Sequence, residues 1–268
     1  MIDIDPNACA QWVRSVSDAL AAEGPRSAQP APITDQIAHV REVSATAQQR
    51  LRTALADLHP TIGWNEEEER PGETHSPYWQ FDPIDGAYHY LQGLPLWSSS
   101  LALVRGGKVL FSIVYDPALG EAFMAGAGEG ATLNGAPLRV SPKADLAAAV
   151  LGTAMPPIAQ VGPSEHGQAL ALFGAVSREV FVLRPMAAAS LQLAYVAAGR
   201  LDGYWETGRD AADWLAGSLL ISEAGGKVTD LCGDAFGWTG DGVIAASPQL
   251  HAALLPILAK TCRSETSP

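Results

Sequence analysis

Two carboxylates lie three residues apart in Asp82-Pro83-Ile84-Asp85-Gly86, directly after the strand-like Tyr78-Trp79-Gln80-Phe81. Proline fixes one backbone torsion and glycine permits a turn that other residues resist. The segment can therefore present two carboxylates and a backbone carbonyl at one strand end. Magnesium takes oxygen ligands at about 2.0–2.1 Å in near-octahedral geometry and keeps several waters, so two aspartates at one turn make half a site. The same residues also suit an acidic β-turn. Further along, Asp210 and Asp213 fall at and inside a helix start, where negative charge is favoured in any case. Capping accounts for Asp210, whereas Asp213 runs straight into Trp214-Leu215-Ala216-Gly217 and borders buried surface. Four consecutive acids, Glu66 to Glu69, follow Ile62-Gly63-Trp64-Asn65. Most of them read as a solvated face, with at least one free to turn towards the aspartates, since adjacent like charges are costly unless solvated or neutralised. His39, His166 and His251 read as surface or capping residues, and no histidine pairs with a nucleophile.

The chain that must position these groups has 268 residues, enough for one large or two closely joined small domains. Hydrophobic residues are 47% and charged residues 17%, the balance of a globular chain rather than a disordered one. The net charge of −12 repels phosphate backbones, so nucleic acid is not an expected partner. An anionic small substrate would need that field reversed locally, which a bound divalent cation does. Cys9, Cys232 and Cys262 are far apart and read as free thiols. No apolar run has the roughly 18 residues of a membrane span, and the acidic start MIDIDPNACAQW lacks signal-peptide character, so the expectation is cytoplasmic.

Periodicity places a helix over residues 7–23, ending at Gly24, and a second over residues 35–58 with Ile37, Val40, Val43, Leu51 and Leu55 on its apolar face. The pattern then becomes strand-like. Residues 101–104 and 109–115 form a hairpin turning at Gly106-Gly107, followed by short strands with a tight turn at Asn134-Gly135. A proline-bearing stretch over 141–166 reads as a junction between an N-terminal unit, residues 1–150, and a C-terminal α/β unit, residues 151–268. In the latter, strands at 180–183, 201–205 and 243–246 alternate with helices at 189–198, 211–224 and from Pro248 to about Lys260, which indicates α/β layering.

Asp82-Pro83-Ile84-Asp85-Gly86, with Gly93-Leu94-Pro95 and the strand 99–104 downstream, resembles the first signature of the inositol monophosphatase-like family of magnesium-dependent, lithium-sensitive sugar phosphatases. Asp213-Trp214-Leu215-Ala216-Gly217 through Glu223-Ala224-Gly225-Gly226 is similar to the second, and residues 111–135 match as well, with the likeness spanning about residues 40–247. The resemblance implies an α/β (α+β) fold, a layered αβαβα sandwich of the inositol monophosphatase/fructose-1,6-bisphosphatase type. It implies Mg²⁺ held by Glu67 (with Glu66 as the alternative), Asp82, the Ile84 carbonyl, Asp85 and Asp213. Catalysis falls to Glu67, Asp85 and Asp213, and substrate contacts to Gly86, Glu206 and Asp213. The implied reaction is hydrolysis of a small polyol phosphate by two-metal, in-line water attack, in a homodimer.

Five positions depart from the family pattern. Ala87 stands where a threonine normally helps hold the attacking water, and Ala47 ends the Val43-Ser44-Ala45-Thr46 segment in place of an aspartate. Ala187-Ala188 replaces a glycine–hydroxyl pair, and Ala212 replaces the tryptophan usual before Asp213. A basic residue expected upstream of Ala47 has no clear match. Two functions follow: a phosphomonoesterase, with His89, Tyr88 or the substrate's own groups partly replacing the lost hydroxyl, or a metal-binding relative with little catalysis that acts as a binding or assembly subunit.

Overall fold

A computed structural model describes residues 4–24, 32–65 and 76–259. The N-terminal helix α1 (Pro6–Glu23) starts where its pattern predicts, because Asp5 accepts the backbone N–H groups of Asn7 and Ala8 at 3.0 Å and Pro6 is pre-set for the first turn. Helix α2 (Ile33–Leu58) runs 26 residues and buries His39, Val43, Ala47, Leu51 and Leu55. That stripe corrects the predicted face. Ile37, two residues and about 200° from His39, is exposed, and a histidine and an alanine take inner positions.

Seven strands form the first sheet in sequence order: β1 (Gly63–Trp64), β2 (Tyr78–Asp85), β3 (Ser98–Arg105), β4 (Lys108–Asp116), β5 (Glu121–Gly126), β6 (Gly130–Leu133) and β7 (Ala136–Pro137). All neighbours are antiparallel except β1 and β2. The hairpin turn falls at Gly106-Gly107 and the tight turn at Asn134-Gly135, as the glycine and asparagine chemistry predicts. Between β2 and β3 a short helix, α3 (Ala87–Leu91), follows Gly86.

The second sheet comprises β8 (Val150–Thr153), β9 (Val182–Pro185), β10 (Gly203–Glu206), β11 (Lys227–Thr229) and β12 (Val243–Ala246), in spatial order β11-β12-β10-β8-β9. Its helices are α4 (Ile158–Val176), α5 (Ala189–Ala197), α6 (Ala211–Glu223) and α7 (Pro248–Leu258). The stretch read as a junction contains β8 and the start of α4. Gly162, at φ 81°, and Pro163 interrupt that helix near its start, which hides its period from the sequence.

Five layers result, as expected. Helices α1 and α2 cover one face of the first sheet, α5 and α6 fill the space between the sheets, and α4 and α7 cover the far face of the second. The middle layer is thin because Gly217 of α6 meets Leu193 of α5: a Cβ there would fall 2.3 Å from the Leu193 Cβ. Among the described residues no helix is long and apolar enough to cross a membrane. The thiol expectation is corrected in part: Cys9 is free and buried, whereas Cys232 is disulfide-bonded.

Candidate metal and phosphate site

Strand β2 loses its register with β3 between Asp82 and Asp85, because Asp82 pairs with Ser100 and Asp85 with Ser98. Pro83 cannot donate to the ladder, so the strand bulges there. A hydroxyl relay holds the bulge from below. Ser17 of α1 donates to Ser99 at 2.6 Å, and Ser99 donates to the Pro83 carbonyl at 2.6 Å. Asp82 closes its own turn by accepting the Ile84 N–H at 3.0 Å, and the Ile84 side chain is buried in the outer core.

Asp85 is buried and reaches across to the middle layer. Its Oδ1 accepts the Ala189 N–H at 3.1 Å and its Oδ2 accepts the Ser190 N–H at 2.6 Å. These are orphan donors of α5, whose own N-cap residue, Ala188, has no side chain able to take them. A carboxylate 104 residues away therefore caps the helix. Gly86 makes this approach possible. At φ 92° it is left-handed, and a Cβ there would lie 2.9 Å from the Ala188 Cβ and 3.1 Å from the Leu96 carbonyl oxygen.

The second signature arrives through the same helix. The Ser190 hydroxyl donates to the Asp213 carbonyl at 2.8 Å, so the start of α5 binds Asp85 on one side and the first turn of α6 on the other. Asp210 occupies the N-cap of α6, but its side chain accepts no bond from the helix start, which corrects the capping role read from sequence. Its ψ of 47° departs from the extended conformation that turns a capping side chain back. Glu206, at the end of β10, receives two donors on one oxygen. The Tyr204 hydroxyl lies 2.5 Å and the Trp214 indole N–H 2.7 Å from its Oε2.

The electrostatics follow from this crowding. Burial, and next the charge of Asp82, pushes Asp85 well above the usual carboxylate range, while the Ser190 and Ala189 N–H groups pull it back. Asp213 is raised by burial and then by Asp82, Asp85, Glu206 and Asp210. Glu206 is pushed up to about 7, mainly by burial, against the lowering effect of its Tyr204 and Trp214 bonds. No cation is among the leading influences on Asp85 or Asp213. A set of hard oxygen donors repelling one another in this way fits a hard divalent cation in its chemistry. Among the described residues, though, no three His, Cys, Asp or Glu side chains converge closely enough to form a cage. Glu66 and Glu67 lie outside the described residues.

The departing positions have plain structural settings. Ala47 packs in the outer core beside Val43 and Leu51, and Ala87, half-buried, opens α3 against the same cluster. His89 turns its Nδ1 to the Leu96 carbonyl at 2.6 Å and Tyr88 is exposed, so the first braces a loop and the second faces solvent. Two further histidine readings are corrected. His39 lies on the inner face of α2, and His251 is fully buried with its Nε2 2.8 Å from the Thr229 hydroxyl. Sequence reasoning missed Tyr204, Trp214 and Ser190. The one available signal was that the tryptophan stands after Asp213 rather than before it. Glu223, in the second signature, holds the β5–β6 turn through the Gly128 and Gly130 N–H groups at 2.7 and 2.8 Å.

With this geometry in view, the profile of the inositol monophosphatase family matches residues 15–263. The chain is 37% identical over 224 residues to an inositol-1-monophosphatase of Mesorhizobium japonicum, covering 83% of each chain. It is also 37% identical to the Nus factor SuhB of Pseudomonas aeruginosa, covering 81% of each. The extragenic suppressor protein suhB of Bartonella henselae has a similar structure, with a TM-score of 0.81 and 31% identity over 95% of this chain and 98% of that one.

Proposed function

We propose that this chain, which belongs to the inositol monophosphatase family, is a Mg²⁺-dependent phosphomonoesterase acting on inositol monophosphate or a related small polyol phosphate. The observation that carries the reading is the meeting of both signatures at one helix end: Asp85 accepts the Ala189 and Ser190 N–H groups while the Ser190 hydroxyl donates to the Asp213 carbonyl. Residues 1–150 would supply Asp82, the Ile84 carbonyl, Asp85 and Glu67, with Glu66 the alternative. Residues 151–268 would supply Asp213 and Glu206.

These groups would hold magnesium, which when bound neutralises phosphate oxygens and the charge developing on the attacking and leaving oxygens. The chain's own contribution is orientation. Asp85 is locked by two backbone donors, so it cannot swing away when its neighbours change charge state. Gly86 would meet the substrate through its backbone, since the position its Cβ would take is closed by Ala188, Leu96 and Trp97. Asp213, beside the leaving-group oxygen in this arrangement, is anchored by its place in the first turn of α6. Glu206 accepts hydroxyl protons of the polyol. Ala87 offers no hydroxyl to orient a water, and His89 is held by Leu96, so turnover is slow. General acid–base assistance of the kind lost is worth about 10²–10⁴-fold.

The test is a phosphate-release screen with and without Mg²⁺ over inositol phosphates, sugar phosphates, a nucleoside bisphosphate and histidinol phosphate. Release from a polyol monophosphate that stops on chelation supports the reading. No release from any ester, alongside calorimetric Mg²⁺ binding, leaves the second reading: a metal-binding subunit whose role is assembly. Ala87 and Ala47 favour that alternative, as do relatives named Nus factor SuhB. Residence in the cytoplasm and assembly as a homodimer complete the proposal.

A further inference from the structure

The carboxylate of Glu206 is held asymmetrically. Two donors, the Tyr204 hydroxyl at 2.5 Å and the Trp214 indole N–H at 2.7 Å, both bind Oε2, and no described residue donates to Oε1. Tyr204 and Trp214 are fully buried, whereas Glu206 is half-buried, so the two aromatic rings are fixed by the core and the carboxylate is fixed by the rings. Tyr204 projects from the same strand face as Glu206, two residues back, and Trp214 comes from the first turn of α6, directly after Asp213. The carboxylate plane is therefore set by two elements of the fold, and one oxygen receives no donor from the described residues.

We infer that Tyr204 and Trp214 are positioning residues that make Oε1 of Glu206 a directed acceptor, selecting monophosphates whose leaving group carries hydrogen-bond donors. The inference rests on the phosphatase reading, which already has Glu206 meet the polyol hydroxyls, and adds to it the two residues that position that carboxylate. The chemistry follows from the inventory of groups. Above about pH 7, where Glu206 is ionised, its carboxylate can only accept, and its Oε2 already holds two donors. A leaving alcohol with a neighbouring hydroxyl satisfies Oε1. An aryl or alkyl group leaves that oxygen without a partner, and a second phosphate sets like charges against each other. Sites built to bond a hydroxyl discriminate strongly against analogues that lack it, because the site's own polar group is then stranded.

The experiment compares Trp214→Phe and Tyr204→Phe with the wild-type chain on two esters, inositol monophosphate and p-nitrophenyl phosphate, at saturating Mg²⁺. Trp205→Phe is the control, since its buried indole N–H bonds nothing. The ratio of kcat/KM for the polyol ester to that for the aryl ester should fall about tenfold in each of the two test variants. Most of the fall should lie in a raised KM for the polyol ester, and the control should keep the wild-type ratio. Equal losses on both esters would mean that the rings serve only the fold, and an unmoved ratio would mean that Glu206 does not need them; either result overturns the inference while wild-type activity stands. A wild-type chain inactive on both esters overturns the phosphatase reading and this inference with it. Thermal unfolding of each variant identifies one that fails to fold, in which case Tyr204→Phe, which removes only a hydroxyl, decides the matter.

Discussion

Replacing Gly86 by alanine perturbs the site at the point where its two halves touch. The substitution has two separable costs. First, φ is 92°, where an L-residue with a Cβ is disfavoured by about 1–2 kcal/mol. Second, the new methyl would stand 2.9 Å from the Ala188 Cβ, 3.1 Å from the Leu96 oxygen and 3.3 Å from the Trp97 Cβ. Carbon atoms prefer about 3.5–4.0 Å, and overpacking of this kind costs about 1–3 kcal/mol. The neighbours are backbone and β-carbons, so no flexible side-chain tip can yield. The sum is about 2–5 kcal/mol, or a fall in Tm of roughly 5–15 °C for a chain of this size. Gly106→Ala isolates the first cost, because its φ is 56° and nothing lies within 4 Å of the added methyl. Urea unfolding of both variants should therefore place Gly86→Ala at least about 1 kcal/mol below Gly106→Ala. Moving Ala188 also lengthens the Asp85 bonds to Ala189 and Ser190, so metal-dependent phosphate release should fall about tenfold or more in Gly86→Ala alone. Equal destabilisation by the two substitutions would refute the claim that contact with the start of α5 requires the glycine.

Three other outcomes are expected. Ala87→Thr should raise phosphate release about tenfold by restoring a hydroxyl at the start of α3, and a rate at or below wild type would remove the account of slow turnover. Asp85 and Asp213 have folded pKa values raised above their unfolded ones, so their contribution to stability is present below about pH 4 and lost as pH rises through the folded values. The stability gained on adding Mg²⁺ to chelated protein should accordingly grow between pH 5 and 8 in calorimetry; a constant gain would exclude these carboxylates as its source. His251 is lowered from 6.5 to about 4 by burial, the reverse case for a base. Its contribution is present above the unfolded value and lost as pH falls through the folded one, amounting to about 2 kcal/mol after solvent screening is discounted. The stability difference between wild type and His251→Gln should shrink over that window at fixed Mg²⁺, and a difference independent of pH would show that the ring is not held neutral.

The features legible in the sequence are those that adjacent residues decide. Asp5-Pro6 starts α1, Gly106-Gly107 and Asn134-Gly135 turn the hairpins, and the apolar periods give the layers. The two acidic signatures are legible as motifs for the same reason, since each is a short run with its own turn or helix chemistry. Where a local signal was interrupted, as at Gly162-Pro163, the element was hidden. The face of α2 was misjudged because a histidine and an alanine occupy inner positions that a search for large apolar residues passes over. The joining of the signatures was settled only by tertiary structure. Asp85 finds its donors on α5 because Ala188 cannot cap that helix, and Glu206 finds the Trp214 indole because the first turn of α6 arrives at the end of β10. These bonds close loops of up to about a hundred residues, and no local propensity encodes them. They form because buried N–H and carboxylate groups must be satisfied once the layers have come together.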